Sequence, residues 1–261
     1  MAAGLLGLVG TTDVQPHSRE QALISAILQS RPTGSGADLA WLVQQIQQPS
    51  FDRVGVLDLE TFYPARERQE LALKFNSLLA WPGFELWSTG EPLQADSLLF
   101  TTEGRPRIAI ISIAHLDDAQ RMLGVALTLN AVLQWTRRQA GTGSLRALVY
   151  MDEVAGYLPP VANPPSKSPL LTLLKQARAY GVGITLATQN PVDLDYKALS
   201  NIGTWFLGKL QTERDKARVL DGLETVAGGL DRQTVDRALS TLRARVFLMH
   251  NVHESGPVVF E

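Results

Sequence analysis

Hydrophobic positions fall into two textures along the chain. From residue 18 to about residue 100 they recur three and four apart, the period of amphipathic helices. Ser18-Arg-Glu-Gln21 has the form of a capping box and predicts a helix through Ile24, Ile27 and Leu28. Gly34-Ser35-Gly36 separates it from a second helix, on which Leu39, Leu42, Val43 and Ile46 share one face. Val54-Gly-Val-Leu57 predicts a short strand. Pro64 then opens a helix through Leu71, Leu73, Phe75 and Leu78, which ends before Pro82-Gly83.

From about residue 105 the pattern becomes strand, helix, strand. Residues 107–112 form a compact apolar run that reads as a strand, and 117–138 as a long helix ended by the turn Gly141-Thr-Gly-Ser144. A strand at 147–151, a helix at 170–180 and strands at 182–187 and 204–207 follow. Residues 244–249 and 257–260 read as two closing strands. The runs are continuous rather than alternating, as in parallel strands buried on both faces. This rhythm predicts an α/β layered sheet, mostly parallel, preceded by a helical region. The division expected is 1–100 and 101–261. Trp135, Trp205 and Phe206 sit in apolar runs and are expected in the core. There is no internal repeat and no low-complexity tract.

Composition narrows the classes. A chain of 261 residues, 45% of them hydrophobic, suits one large or two smaller globular domains. The net charge of -2 supplies no overall basic field to draw the chain to nucleic acid or an anionic membrane. The absence of cysteine excludes disulfides, thiolate metal sites and cysteine nucleophiles, and fits a reducing compartment. No apolar run approaches the roughly 20 residues that span a bilayer. The apolar start, Met1-Ala-Ala-Gly-Leu-Leu-Gly-Leu-Val-Gly10, lacks the basic region of a signal peptide, so a cytoplasmic location is expected.

Chemistry enters at Leu148-Val-Tyr-Met-Asp152-Glu153. A hydrophobic strand delivers two adjacent carboxylates to its C-terminal end, where open α/β sheets bind ligands. Nucleotide hydrolysis uses two such groups, one to hold magnesium and one to polarise the attacking water. Asp152 suits the first role and Glu153 the second. The plainer reading is a solvated turn or a helix cap. Beyond the pair lie a proline-rich loop (Pro159, Pro160, Pro164, Pro165, Pro169), a helix ending Lys175-Gln-Ala-Arg178-Ala-Tyr-Gly181, and a strand ending Leu186-Ala-Thr188-Gln189-Asn190-Pro191.

This succession of acidic pair, Ala-Arg-x-x-Gly and Ala-Thr-Gln-x-Pro resembles the core of the HerA/FtsK superfamily of P-loop motor ATPases, over residues 105 to 220. The resemblance implies a partial RecA-like (P-loop NTPase) fold. It implies Asp152 with Mg2+, Glu153 as catalytic base, Gln189 as polar sensor of the γ-phosphate and Arg178 as an arginine finger acting on a neighbouring subunit's ATP. A guanidinium suits that work because it stays charged and offers planar paired donors. Arg178 also reads as an ordinary cation near a helix C-terminus, and Gln189 as a turn residue. Also implied are a homo-oligomeric, hexameric ring and DNA as the translocated, helicase-type substrate.

One part is missing. G-x-x-x-x-G-K-[ST] cradles phosphates with backbone amides and needs a terminal hydroxyl for magnesium. The near match Gly203-Thr-Trp-Phe-Leu-Gly208-Lys209-Leu210 lacks that hydroxyl, has a strand for an interior, and follows the acidic strand instead of preceding it. Gly34-Ser35-Gly36 has no lysine. The chain is therefore expected to be part of a longer ATPase whose preceding residues carry the loop, and to be inactive alone. Residues 18–100 would be the helical insertion between loop and acidic strand. The alternative is a non-hydrolysing assembly module. Intact Asp152, Glu153, Arg178 and Gln189 favour the first.

Weaker constellations remain. Thr212-Glu-Arg-Asp-Lys216-Ala-Arg218 reads as a charged helix start with internal ion pairs, although Lys216 or Arg218 could approach a neighbour's phosphates. His250, His253 and Glu254 invite a metal site but read better as a surface turn. Asp58 and Glu60 share one face of a possible strand and are assigned no chemistry.

Overall fold

The computed structural model describes residues 18–31, 38–80, 91–189, 191–210, 212–226, 232–252 and 258–260, with positions 2, 5, 6 and 9. It divides into two units, Met1–Ala131 and Val132–Glu261.

The first unit is built from amphipathic helices. Helix α1 (Arg19–Gln29) is capped by Ser18, whose hydroxyl accepts from the Gln21 amide at 3.2 Å. Helix α2 (Leu39–Gln47) is capped by Asp38, which accepts from the Trp41 amide at 2.7 Å. The run 54–57 is not one strand. Gly55, at φ 61, reverses the chain between β1 (Arg53–Val54) and β2 (Leu57–Asp58), which pair antiparallel. Helix α3 (Leu59–Phe62) follows, then α4 (Ala65–Leu79) after Pro64. Ile24 and Ile27, Leu42 and Ile46, and Leu71 and Phe75 interlock as one core cluster.

Asp58 and Glu60 serve this packing. Asp58 caps α3 through the amides of Glu60 and Thr61. Glu60 accepts from the Ala65 amide at 2.8 Å and pairs with Arg68 at 3.0 Å. The Ala65 amide, then Arg68, hold its carboxyl below the usual range despite partial desolvation.

Two further helices complete this stretch, α5 (Ala95–Leu99) and the long α6 (Asp118–Arg137), inside which the boundary between units falls. Between them the expected strand at 107–112 does not form. Its residues are exposed, Ile108 at 91%, and the nearest bridge is a single pair, Phe100 with Pro106. An apolar run holds strand geometry only where a ladder partner and a covered face are available. None among the described residues supplies them.

The second unit contains a parallel pair linked through a helix, so the chain is α/β. Strand β3 (Thr142–Met151) runs beside β4 (Tyr180–Leu186), joined through α7 (Lys167–Gln176) and a 3₁₀ turn, Ala177–Ala179. Ala147 faces Val182 and Met151 faces Leu186, with a register shift between Thr142 and Ala147. The expected turn at Gly141-Thr-Gly-Ser144 is therefore already the start of β3. Gly181, at φ 73, lies against β3. A Cβ there would collide with the Ser144 carbonyl oxygen and approach the Thr142 methyl to 2.6 Å.

The pair is not buried on both faces. Ala147 and Val182 are covered, but Leu145, Leu148 and Tyr150 are exposed.

Helix α8 (Tyr196–Leu199) precedes β5 (Thr204–Leu207), followed by α9 (Glu213–Val226), α10 (Arg232–Thr241), β6 (Phe247–Asn251) and β7 (Val258–Phe260). Strand β5 pairs antiparallel with β6, and β6 with β7. Trp135 and Trp205 are core as expected. Phe206 is not. It is 60% exposed on the outer face of this sheet, where its ring meets Phe260 edge-on and Phe260 stacks on Phe247. Alternation decides this, because Trp205 and Leu207 take the covered face and turn Phe206 outward. Among the described residues no helix is long and apolar enough to cross a membrane.

Candidate functional site

The chain leaves β3 through a tightly held turn. The Ala187 amide donates to the Met151 carbonyl and the Val154 amide donates back to the Ala187 carbonyl, each at 2.9 Å. Asp152 and Glu153 lie between these two clips. Val154 is fully buried and anchors the exit. Closing so short a loop puts Glu153 at φ 47, the left-handed region that costs a side-chain-bearing residue strain.

This backbone aims the Glu153 side chain at the continuation of β4, where the Thr188 hydroxyl donates to Glu153 Oε1 at 3.0 Å. Asp152 accepts a long hydrogen bond from the Tyr150 hydroxyl at 3.4 Å. The Asp152 charge pushes the Tyr150 phenol above its ordinary range. Both carboxylates are exposed, as is Gln189, the residue after Thr188. The fold thus brings Asp152, Glu153, Thr188 and Gln189 to one end of the parallel pair. Asn190 lies outside the described residues.

A buried ion pair braces the loops at this end. Lys167 Nζ meets Asp195 Oδ2 at 2.7 Å, with side chains only 8% and 9% exposed. The same ammonium donates to the carbonyls of Pro159, Pro160 and Ala162 at 2.7, 3.2 and 3.1 Å. The Asp195 amide donates to the Leu158 carbonyl at 2.9 Å. The proline-rich loop after the acidic turn and the segment after Gln189 are thereby tied together. Burial raises the Asp195 carboxyl, but the Lys167 ammonium and the Lys197 amide outweigh it and hold it below the usual range.

Arg178 stands elsewhere. It lies in the 3₁₀ turn that leads into β4, and β4 separates it from the acidic turn by about 20 Å at the usual rise per residue. There it shares a shallow depression of 680 Å³ with Lys175, Gln176, Tyr180 and Thr142. Among the described residues neither Lys175 nor Arg178 is in an ion pair.

Lys216 and Arg218 are committed within the unit. Lys216 contacts Glu213 at 2.8 Å, Asp236 at 3.6 Å and the Ser240 hydroxyl at 2.9 Å, while Arg218 donates to the Leu194 carbonyl at 2.6 Å. The interior of Gly203-Thr-Trp-Phe-Leu-Gly208-Lys209 is strand β5, paired throughout with β6. Such a segment cannot wrap a phosphate.

His250 is not on a surface turn. It lies in β6 opposite Trp205, 4% exposed, and neither ring nitrogen has a hydrogen-bond partner among the described residues. Burial lowers its basicity. His253 and Glu254 lie outside the described residues. No group of three or more metal-binding side chains occurs among the described residues. Asp152 as a single exposed carboxylate fits magnesium, which takes one or two protein carboxylates and completes its octahedron with phosphates and water.

Thr188, Lys167 and Asp195 were not singled out by the sequence. A hydroxyl ending an apolar strand, one position before Gln189, was the available signal for Thr188. The Lys167–Asp195 pair, 28 positions apart, left none.

No family model matches the chain, and no curated protein matches it. Among solved structures it is similar to the genome packaging NTPase B204 from Sulfolobus turreted icosahedral virus 2. With the complex with AMP the identity is 13% and the TM-score 0.42, covering 66% of this chain and 72% of that one. With the ATP-gammaS complex the identity is 14% and the TM-score 0.43, at the same coverages. Likenesses of that size carry no inference, and the chain's own residues carry the functional reading.

Proposed function

We propose that this chain is the hydrolysis-and-assembly part of an ATP-driven, ring-forming motor of the HerA/FtsK type, with a RecA-like second unit and a phosphate-binding loop supplied by residues outside this sequence. The observation that carries the reading is the acidic turn clipped to the end of β4. It gathers Asp152, Glu153, Thr188 and Gln189, from two separate stretches of sequence, at the end of a parallel pair where α/β sheets bind ligands.

Each residue has a role that its position allows. Glu153, exposed and ionisable, accepts a proton from the attacking water. Asp152 holds Mg2+, and the ion when bound neutralises charge building on the phosphates. Gln189 senses the terminal phosphate through its amide. Arg178, at the far end of β4, serves the nucleotide of the adjacent subunit. DNA is the proposed polymer moved through the ring, on the strength of the motif resemblance.

The lack of a G-x-x-x-x-G-K-[ST] loop in this sequence favours a second reading, a non-hydrolysing assembly module. Two measurements separate them. The chain alone should bind magnesium-ATP too weakly for calorimetry to register, because affinity in such sites rests on the loop amides. Micromolar binding would return attention to residues 203–209. In the loop-bearing protein, Glu153→Gln should keep nucleotide binding and lower turnover by about 10²-fold or more, since the amide keeps shape but cannot take a proton. Turnover within a few-fold of the original sinks the hydrolytic reading.

A further inference from the structure

We infer that Thr188 is a positioning residue that sets the orientation of the Glu153 carboxylate. This deepens the proposed function and rests on Glu153 being the base.

The backbone around Glu153 is bonded on both sides. Its φ of 47 is imposed by a turn whose two sides are both bonded to Ala187. What remains free is rotation of the side chain. The Thr188 hydroxyl removes that freedom from one end, donating to Oε1 at 3.0 Å. A hydroxyl has one proton to give, so Oε1 is engaged and Oε2 is left to accept from water. The base is thereby presented with one oxygen fixed and the other available.

Chain order keeps the Thr188 hydroxyl beside the acidic turn. Ala187 is held on both sides by the acidic turn, Thr188 is the next residue, and Gln189 the one after. Serine in place of Thr188 keeps this device. Valine keeps the shape and deletes it.

The first arm of the test uses this chain, labelled with ¹³C at the glutamate carboxyls. The Glu153 signal is identified by its loss in Glu153→Gln. Thr188→Val should move that signal and Thr188→Ser should return it, with the thermal midpoint unchanged in both. Thr188→Ala serves in place of valine if the latter does not fold. The second arm uses the loop-bearing protein. Thr188→Val should lower kcat about tenfold, as loss of an outer-shell orienting bond does, leave KM for ATP in place, and be rescued by serine. A Glu153 signal indifferent to valine overturns the proposal, as does serine behaving like valine, or a change in KM alone. If Glu153→Gln still turns over, the base assignment fails and Thr188 falls with it. If Glu153→Gln is inactive while Thr188→Val is normal, only the Thr188 proposal fails.

Discussion

The two ends of the β3–β4 pair are built differently. At the carboxyl end nearly every polar group has a partner within the unit: Glu153 has Thr188, Asp152 has Tyr150, and Lys167 and Asp195 have one another. At the amino end Lys175 and Arg178 project over a shallow depression, with no acid among its lining residues. Both ends start from the same short parallel ladder. One end is thus held by ion pairs and hydrogen bonds within the unit, while the other presents two cations that no acid of the described residues pairs with.

The largest effect is expected at Arg178. In the loop-bearing protein Arg178→Ala should keep ATP binding and lose hydrolysis by on the order of 10³-fold, the scale of arginine fingers supplied in trans. Mixed with Glu153→Gln subunits it should regain part of the activity, because some interfaces then pair an intact Glu153 with an intact Arg178. If verified mixed rings show no gain over the two variants apart, Arg178 is only a cation near the end of α7.

Lys167→Met tests the brace at the carboxyl end. It leaves Asp195 buried without its counter-charge and should cost about 3 kcal/mol of stability, read as a fall in the urea midpoint of this chain. Little change in that midpoint would mean that the loops are held by packing alone. At the amino end Gly181→Ala should cost roughly 2 kcal/mol or more, from the left-handed backbone and the clash with β3. A stable alanine variant would show that the two strands are not closely apposed there.

The smallest effect lies outside the pair, at His250. Burial lowers its folded pKa below the ordinary 6.5, so the unfolded chain takes up the proton first. Its contribution to stability is full above pH 6.5 and is lost as pH falls towards the lowered value. The thermal midpoint of the chain should therefore drop as pH is taken below 6.5, and His250→Leu should flatten that slope. A slope equal in both proteins would place the titration elsewhere.

Periodicity and capping chemistry were legible because they are local. Ser18, the apolar faces of α1 and α2, and the order β3, α7, β4 follow from residues within a few positions of one another. The acidic pair was legible for the same reason, as two carboxylates ending an apolar strand. The run at 107–112 carries an equally good local signal, yet it has no ladder partner among the described residues, and a strand is a property of a pair.

Residues close together in the sequence sufficed for the strands and helix of the parallel pair, though not for α8 or α10, and for the residue types at the strand ends: Asp152 and Glu153 after one strand, Thr188 and Gln189 after the next, Arg178 before it. Tertiary structure decided which of these meet. Parallel pairing in one register carries residues 35 positions apart to a 3.0 Å hydrogen bond between Thr188 and Glu153, and the same register holds Arg178 a strand's length away. Burial decided the rest. Lys167 and Asp195 are unremarkable as sequence and become a brace only because water is excluded around them, where an unpaired charge is costly and a paired one holds its neighbours in place.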